Sequence, residues 1–231
     1  MKLKNGSALD PESGLEDCAH VYRDGVTGKL YTTVLNWIDI TKNKNSYYKM
    51  QVLESDTGRS YWLFRSWGRI GTKVGEKLVE TRYSVDECCM EFEALFKEKT
   101  GNMWGAQPFR KMPGKYAEVD VDYTDDEKIK QMELKSAIPS KLPNQVQDII
   151  KLMFDVEAMK QTMMEFELDL EKMPLGRLSK KQLEEAYSVL NQLDTFITEG
   201  AKANSFIGAS NKFVSLVPHS FGMNAAPVID T

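Results

Sequence analysis

The feature that most limits what this chain can fold into is a change, partway along, in the period of its apolar residues. Up to about residue 82, apolar and β-branched residues come in short runs broken by turn formers, the pattern of strands. The runs are 19–23, 30–40, 46–54, 59–67 and 77–82, and the breaks fall at Asp24-Gly25, Gly28, Asn43 to Asn45 and Thr57-Gly58. Connections this short imply a mostly antiparallel sheet. In 59–67, Trp62 and Phe64 alternate with Tyr61, Leu63 and Arg65, so both faces of that strand are expected to be partly covered. From residue 140 onward the period is helical. The expected fold class is α+β: an antiparallel β-sheet with one packed helix, followed by an all-α, incomplete helical domain.

The helix of the first half carries its own punctuation. Ser84 caps it, Glu87 completes a capping box, and Gly101 stops it. Val85, Cys88, Cys89, Phe92, Leu95 and Phe96 form one apolar stripe to lay on the sheet. The paired cysteines read as small core residues.

Residues 102–140 read as a connector with Pro108, Pro113 and Pro139 and an acidic run from Asp120 to Glu127. Three regions are expected: a domain over 1–125 with its core at about 15–118, a linker over 126–138, and a helical domain over 139–231. In the last, Ser140 caps a helix starting near Pro143, with Val146, Ile149, Ile150, Met153 and Phe154 as its buried stripe. A segment at 156–168 follows, and Pro174-Leu175-Gly176 breaks the chain. Ser179 and Gln182 then form a second capping box. The helix they open carries Leu183, Ala186, Tyr187, Leu190, Leu193, Phe196 and Ile197 and stops at Gly200; a last helix spans about 205–216.

Charge is distributed unevenly. The total is −4, but residues 41–115 hold 14 basic and 9 acidic groups and residues 116–231 hold 12 and 19. A basic middle and an acidic remainder imply parts with different partners. No stretch approaches the roughly 18 apolar residues of a membrane span, and the first 25 residues hold no apolar run of a signal peptide. Cys18, Cys88 and Cys89, with only His20 and His219 beside them, make neither a disulfide framework nor a zinc spacing. Reduced thiols in the cytosol or nucleus are the plain expectation.

Catalytic constellations are lacking. No cysteine–histidine pair, phosphate loop or Gly-x-Ser-x-Gly occurs, and Gly68-x-x-Gly71 lacks the third glycine of a dinucleotide fingerprint. His219, after Pro218, reads as a structural or capping residue. The informative cluster lies in the basic middle, where Tyr47, Tyr48, Trp62 and Trp67 interleave with Lys42, Lys44, Lys49, Arg65, Arg69, Lys73 and Lys77. Aromatic planes stack on exposed nucleobases and cations neutralise phosphates, although strand aromatics also build cores. Trp67, followed by Gly68 and Gly71, is expected where a strand enters a turn, more peripheral than Trp62.

Ser66-Trp67-Gly68-Arg69-Ile70-Gly71-Thr72, preceded by Tyr61 to Arg65, resembles the Trp-Gly-Arg (WGR) domain of the poly(ADP-ribose) polymerase family. Asn45 to Lys49 upstream and Glu98 to Asn102 downstream fit the same domain in the same order. Ser140 to Pro143, Val146 to Ile150, Phe154 to Glu157, Lys172 to Lys180 and Pro218 to Gly222 resemble that family's regulatory helical domain. The resemblance implies a nuclear segment that binds damaged DNA ends and restrains a NAD-dependent transferase. In it Trp67 stacks near a terminal nucleotide, Arg69 bridges DNA and neighbouring domains, and Asn45, Lys77 and Lys111 contact DNA or those domains. Leu175, Leu178, Leu183 and Leu190 would pack the autoinhibitory switch. The family's zinc-finger and ADP-ribosyltransferase domains are expected as partners. They and the BRCT domain are absent here, so the chain reads as a catalytically silent fragment with no cofactor of its own; NAD is the substrate of the parent enzyme. The rival expectation is a protein-interaction module whose basic face docks an acidic partner.

Overall fold

A computed structural model describes residues 3–4, 7–121, 143, 146 and 178–230 of the chain. The central sheet is a run of hairpins, β4 (Thr32–Asp39), β5 (Lys44–Ser55), β6 (Tyr61–Arg69) and β7 (Gly75–Arg82). All its pairings are antiparallel, in the order β7-β6-β5-β4-β8, with β8 at Ala117–Val119. A short β3 (Ala19–Val21) pairs with the far end of β5, and β1 (Leu3–Lys4) pairs with β2 (Ser7–Ala8) apart from the sheet.

Strand alternation sends apolar residues to both faces. On one face Leu35, Tyr48, Met50, Val52 and Leu63 meet Cys88, Phe92 and Phe96 of α1 (Val85–Thr100). Burying each of these phenylalanines stabilises by about 1.5–3 kcal/mol, and Phe92→Ala would break the contact. Ser84 Oγ accepts the Glu87 N–H at 3.2 Å, while the Glu87 carboxylate reaches back to the Tyr83 N–H. Burial pushes the Cys88 thiol up to about 11 and Cys89 up to about 12, as core placement requires.

On the opposite face the amino-terminal segment lies across the strands. Lys49 and Asp10 form a buried ion pair at 3.0 Å, and Gln51 bonds the Asp10 N–H and the Ala8 carbonyl. Removing one partner of such a pair costs about 3–5 kcal/mol. Leu9, Val21, Leu53 and Phe64 complete this cluster. The placement of Leu63 on one face and Phe64 on the other bears out the double-sided reading of β6.

Among the described residues the carboxy-terminal part has α2 (Lys180–Glu199) and α3 (Ala203–Leu216), packed through Val189, Leu193, Phe206 and Ala209. Gln182 ties it to the sheet: its amide accepts the Asp120 N–H at 2.6 Å and donates to the Leu216 carbonyl at 2.7 Å. Ser179 does cap α2 by accepting the Gln182 N–H, but the Gln182 side chain is a tertiary bridge and does not complete the box.

Three expectations need correction. Residues 102–140 are not a bare connector, because 117–119 add β8 and Trp104, Phe109 and Tyr116 pack on the core. The stripe of α2 is split: Ala186, Val189 and Leu193 are buried, whereas Leu183, Tyr187, Leu190 and Ile197 are exposed. Val146, expected in a buried stripe, is exposed. Ile149 to Phe154, the 156–168 segment, Leu175 and the boundary near 125–138 lie outside the described residues.

Candidate nucleic-acid interface and domain junction

Gly68, the middle of the Trp-Gly-Arg triplet, explains its neighbours' positions. A Cβ there would meet the Val74 carbonyl oxygen at 2.3 Å and the Gly75 Cα at 2.8 Å. The absence of a side chain lets β6 and β7 close together, so Trp67 and Arg69 are held by a tight ladder. Trp67 therefore lies inside a strand and not at its mouth; β6 runs on to Arg69, and the turn begins after it. The Arg69 N–H bonds the Val74 carbonyl and the Ile70 N–H bonds Asn45.

Trp67 is half-buried and its ring stacks on Tyr48, with centroids 5.8 Å apart and planes 18° apart. Tyr116 meets Tyr48 edge-on at 6.1 Å and Trp37 at 5.9 Å. Four rings thus run across the sheet beyond the end of α1. Lys99 lies 5.1 Å from the Tyr48 ring and Lys44 lies 5.5 Å from the Trp37 ring. Tyr116 and Trp37 carried no motif signal, since only strand pairing brings them beside Tyr48.

The basic excess is smaller than residue counts imply. Lys49 is paired with Asp10, Lys42 with Asp39 at 3.4 Å, and Arg65 with Glu80. Although burial pushes the Glu80 carboxyl up, Arg82 and Arg65 more than offset it and hold its pKa below the usual range.

The five sequence-selected residues do not share one face. Trp67 lies with the aromatic run. Lys77 sits on the opposite face, donating to the Glu12 carbonyl at 3.0 Å. Asn45 is buried, and its amide donates to the His219 carbonyl at 3.0 Å. Arg69 donates Nε to the Gly222 carbonyl (2.6 Å) and Nη2 to Asn224 (2.8 Å), while Nη1 and Nη2 bond the backbone and side-chain oxygens of Asn43. Lys111 donates to Ser215 Oγ at 2.8 Å. Asn45, Arg69 and Lys111 are thus spent on the carboxy-terminal part.

Sequence reading missed the other half of this junction. Asn43, Ser220 and the 222–224 carbonyls are ordinary loop residues whose importance comes only from what they touch. His219 is structural, as expected: Nδ1 bonds the Val217 carbonyl and the ring stacks on Phe221 at 14°. Burial lowers its pKa despite that bond. Among the described residues no cluster of His, Cys, Asp or Glu could hold a metal, and no helix is long and apolar enough to cross a membrane.

A small hairpin sheet with the Trp-Gly-Arg triplet, locked to a helical part, defines a two-part α+β module. Residues 31–111 match the WGR domain model, and residues 140–231 match the model described as poly(ADP-ribose) polymerase, regulatory domain. The chain is 49% identical to a poly(ADP-ribose) polymerase of Sarcophaga peregrina over 232 aligned residues, covering 100% of this chain. It is 44% identical to poly(ADP-ribose) polymerase 1 of Gallus gallus over 99% of its length, and 34% identical to that of Arabidopsis thaliana over 94%. The chain belongs to the poly(ADP-ribose) polymerase family, and it spans 23% of the length of each of these three relatives.

Proposed function

We propose that this segment senses DNA breaks and passes that event to the regulatory helices of a nuclear, NAD-dependent poly(ADP-ribose) polymerase. The observation that carries the reading is the spacing of Trp67 and Arg69 on one strand. Two residues apart, the first belongs to an aromatic run flanked by Lys44 and Lys99, and the second holds the 222–224 backbone. An exposed terminal base or sugar would stack at the Trp67 end while lysines neutralise phosphates. Any shift of β6 is then felt directly by the helical part.

In this reading Trp67 is the stacking residue, Lys77 a phosphate contact on the other face, and Asn45, Arg69 and Lys111 the couplers between sheet and helices. The sensing domain occupies 1–125 and the regulatory one 139–231. The segment itself contributes no catalytic residue. Its partners are broken DNA ends and the zinc-finger and transferase domains of the polymerase. Coupling of this kind requires only about 1–3 kcal/mol between the two states.

A fluorescence-anisotropy titration tests it. Duplexes with 5′-phosphorylated ends should bind more tightly than closed circles, and the log of the binding constant should fall linearly with log salt. Equal affinity for ends and circles removes break sensing. Binding to an acidic protein but to no DNA favours the protein-interaction module.

A further inference from the structure

Between the β4–β8 edge of the sheet and the two carboxy-terminal helices lies an open cleft of about 890 Å³. None of Trp37, Tyr48 and Trp67 lines it, so it is separate from the aromatic run. Lys29, Lys111, Lys181 and Lys212 enter it, against Glu118, Asp120 and Glu185. Most of these charges are occupied. Lys29 lies 3.6 Å from the Trp104 ring centre, Asp120 accepts from Ser179, and Lys212 pairs with Glu185 at 3.0 Å.

Lys111 is different. One of its ammonium hydrogens goes to Ser215 Oγ, whose own hydrogen goes to the Asn211 carbonyl at 2.7 Å. Among the described residues no carboxylate stands within ion-pair range of Lys111. Crowding by protein atoms and then the nearby Lys212 charge hold its pKa below the usual lysine range. Of the four ammonium groups the described residues bring to the cleft, Lys111 and Lys212, one from each part of the molecule, act on each other. Of the three carboxylates there, Glu185 is bonded to Lys212, while Glu118 accepts from Thr33 and Asp120 from Ser179.

We propose that this cleft binds the phosphoryl group of a small molecule, held between Lys111 from the sheet side and Lys212 from α3. A tetrahedral anion accepts several charged hydrogen bonds at once, which suits two ammonium groups lining one cleft. It takes the remaining Lys111 hydrogens and competes with Glu185 for Lys212. Because Lys111 and Lys212 lie on opposite sides of the junction, the bound anion clasps sheet and helices together and raises the melting temperature with ligand concentration.

Isothermal titration of the chain with sodium pyrophosphate, and separately with AMP, in low-salt phosphate-free buffer tests this. Saturable single-site binding is expected, weakened roughly tenfold or more by Lys111→Gln. Glu185→Gln, which frees Lys212, should tighten binding, a gain that damage to the fold cannot produce. Lys97→Gln, on the exposed side of α1, and Trp67→Ala should leave it unchanged, so that a failure of DNA-end binding is told apart from a failure here. Tighter AMP than pyrophosphate identifies a nucleotide as the source of the phosphoryl group; the reverse identifies a free phosphate. Absence of saturable heat, equal affinity in Lys111→Gln and Lys97→Gln, or no gain in Glu185→Gln overturns the proposal.

Discussion

Gly71 and Ser220 meet with no room for a side chain between them. A Cβ on Gly71 would stand 1.8 Å from Ser220 Oγ and 2.8 Å from its Cα, and Gly71 has a φ of +74°. The tip of the β6–β7 hairpin is thereby pressed against the segment that follows α3, next to the bonds from Arg69 and Asn45. Sheet and helices are locked at the turn that carries the family motif.

Gly71→Ala should therefore destabilise by about 1–3 kcal/mol through overpacking, with about 1–2 kcal/mol more from the left-handed backbone. Chemical denaturation of Gly71→Ala, Ser220→Gly and the double variant separates the two costs. The double variant should recover the part of the steric cost due to the Ser220 side chain, and neither the clash with its Cα nor the backbone cost. Full additivity would mean that the two residues do not press on each other.

Arg69→Lys should behave almost as badly as Arg69→Ala. The guanidinium spans Asn43, Gly222 and Asn224 at once, which a single ammonium cannot reproduce. Charged hydrogen bonds of this kind contribute about 1.5–3 kcal/mol each. Hydrogen exchange along 219–224 should quicken in both variants, and unchanged protection in Arg69→Ala would show that the bonds do not hold the segment.

Gln182→Ala should loosen α2 from the sheet. It leaves the Asp120 N–H and the Leu216 carbonyl, both only partly buried, without their partner, at up to about 1 kcal/mol for each. A melt of this variant should show a drop several times that of Lys181→Ala, its exposed neighbour. Equal melting temperatures would remove Gln182 as a bridge.

His219 should make the junction sensitive to mild acid. Its folded pKa is depressed by burial below the ordinary 6.5. The unfolded chain therefore binds the proton more readily in the window from about 6.5 down to the folded value, and stability falls as pH falls through that window. His219→Gln should flatten this part of a stability-against-pH curve. A curve of unchanged slope would mean that His219 does not titrate on unfolding.

Much of this could be read from short windows of sequence. Ser84, Glu87 and Gly101 bound α1 because capping is local, and strand alternation separated Leu63 from Phe64. What windows could not show depends on partners far along the chain. Lys49 looked like a free cation until Asp10, 39 positions away, came to lie beside it. β8 is three residues long, too short for a period of its own, and exists because β4 offers an edge. On α2 two adjacent stripes, Ala186-Val189-Leu193 and Leu183-Tyr187-Leu190-Ile197, merge in sequence, and only packing on α3 separates them. At the candidate interface, Trp67 and Arg69 were found from their motif, but their division of labour between ring stack and junction required the fold.

In the proposed function Trp67 meets the DNA end, whereas Trp62, on the opposite face of the sheet, does not. The most direct measurement compares Trp67→Ala with Trp62→Ala, whose ring packs on the opposite face with Leu9 and Phe64, in binding a 5′-phosphorylated duplex end at fixed salt. Base stacking on an aromatic ring is worth about 1–3 kcal/mol, so Trp67→Ala should lose roughly fivefold to a hundredfold in affinity. Trp62→Ala, if still folded by its melting curve, should bind like the unaltered chain. Unaltered affinity in Trp67→Ala, or an equal loss in both variants, would contradict the account.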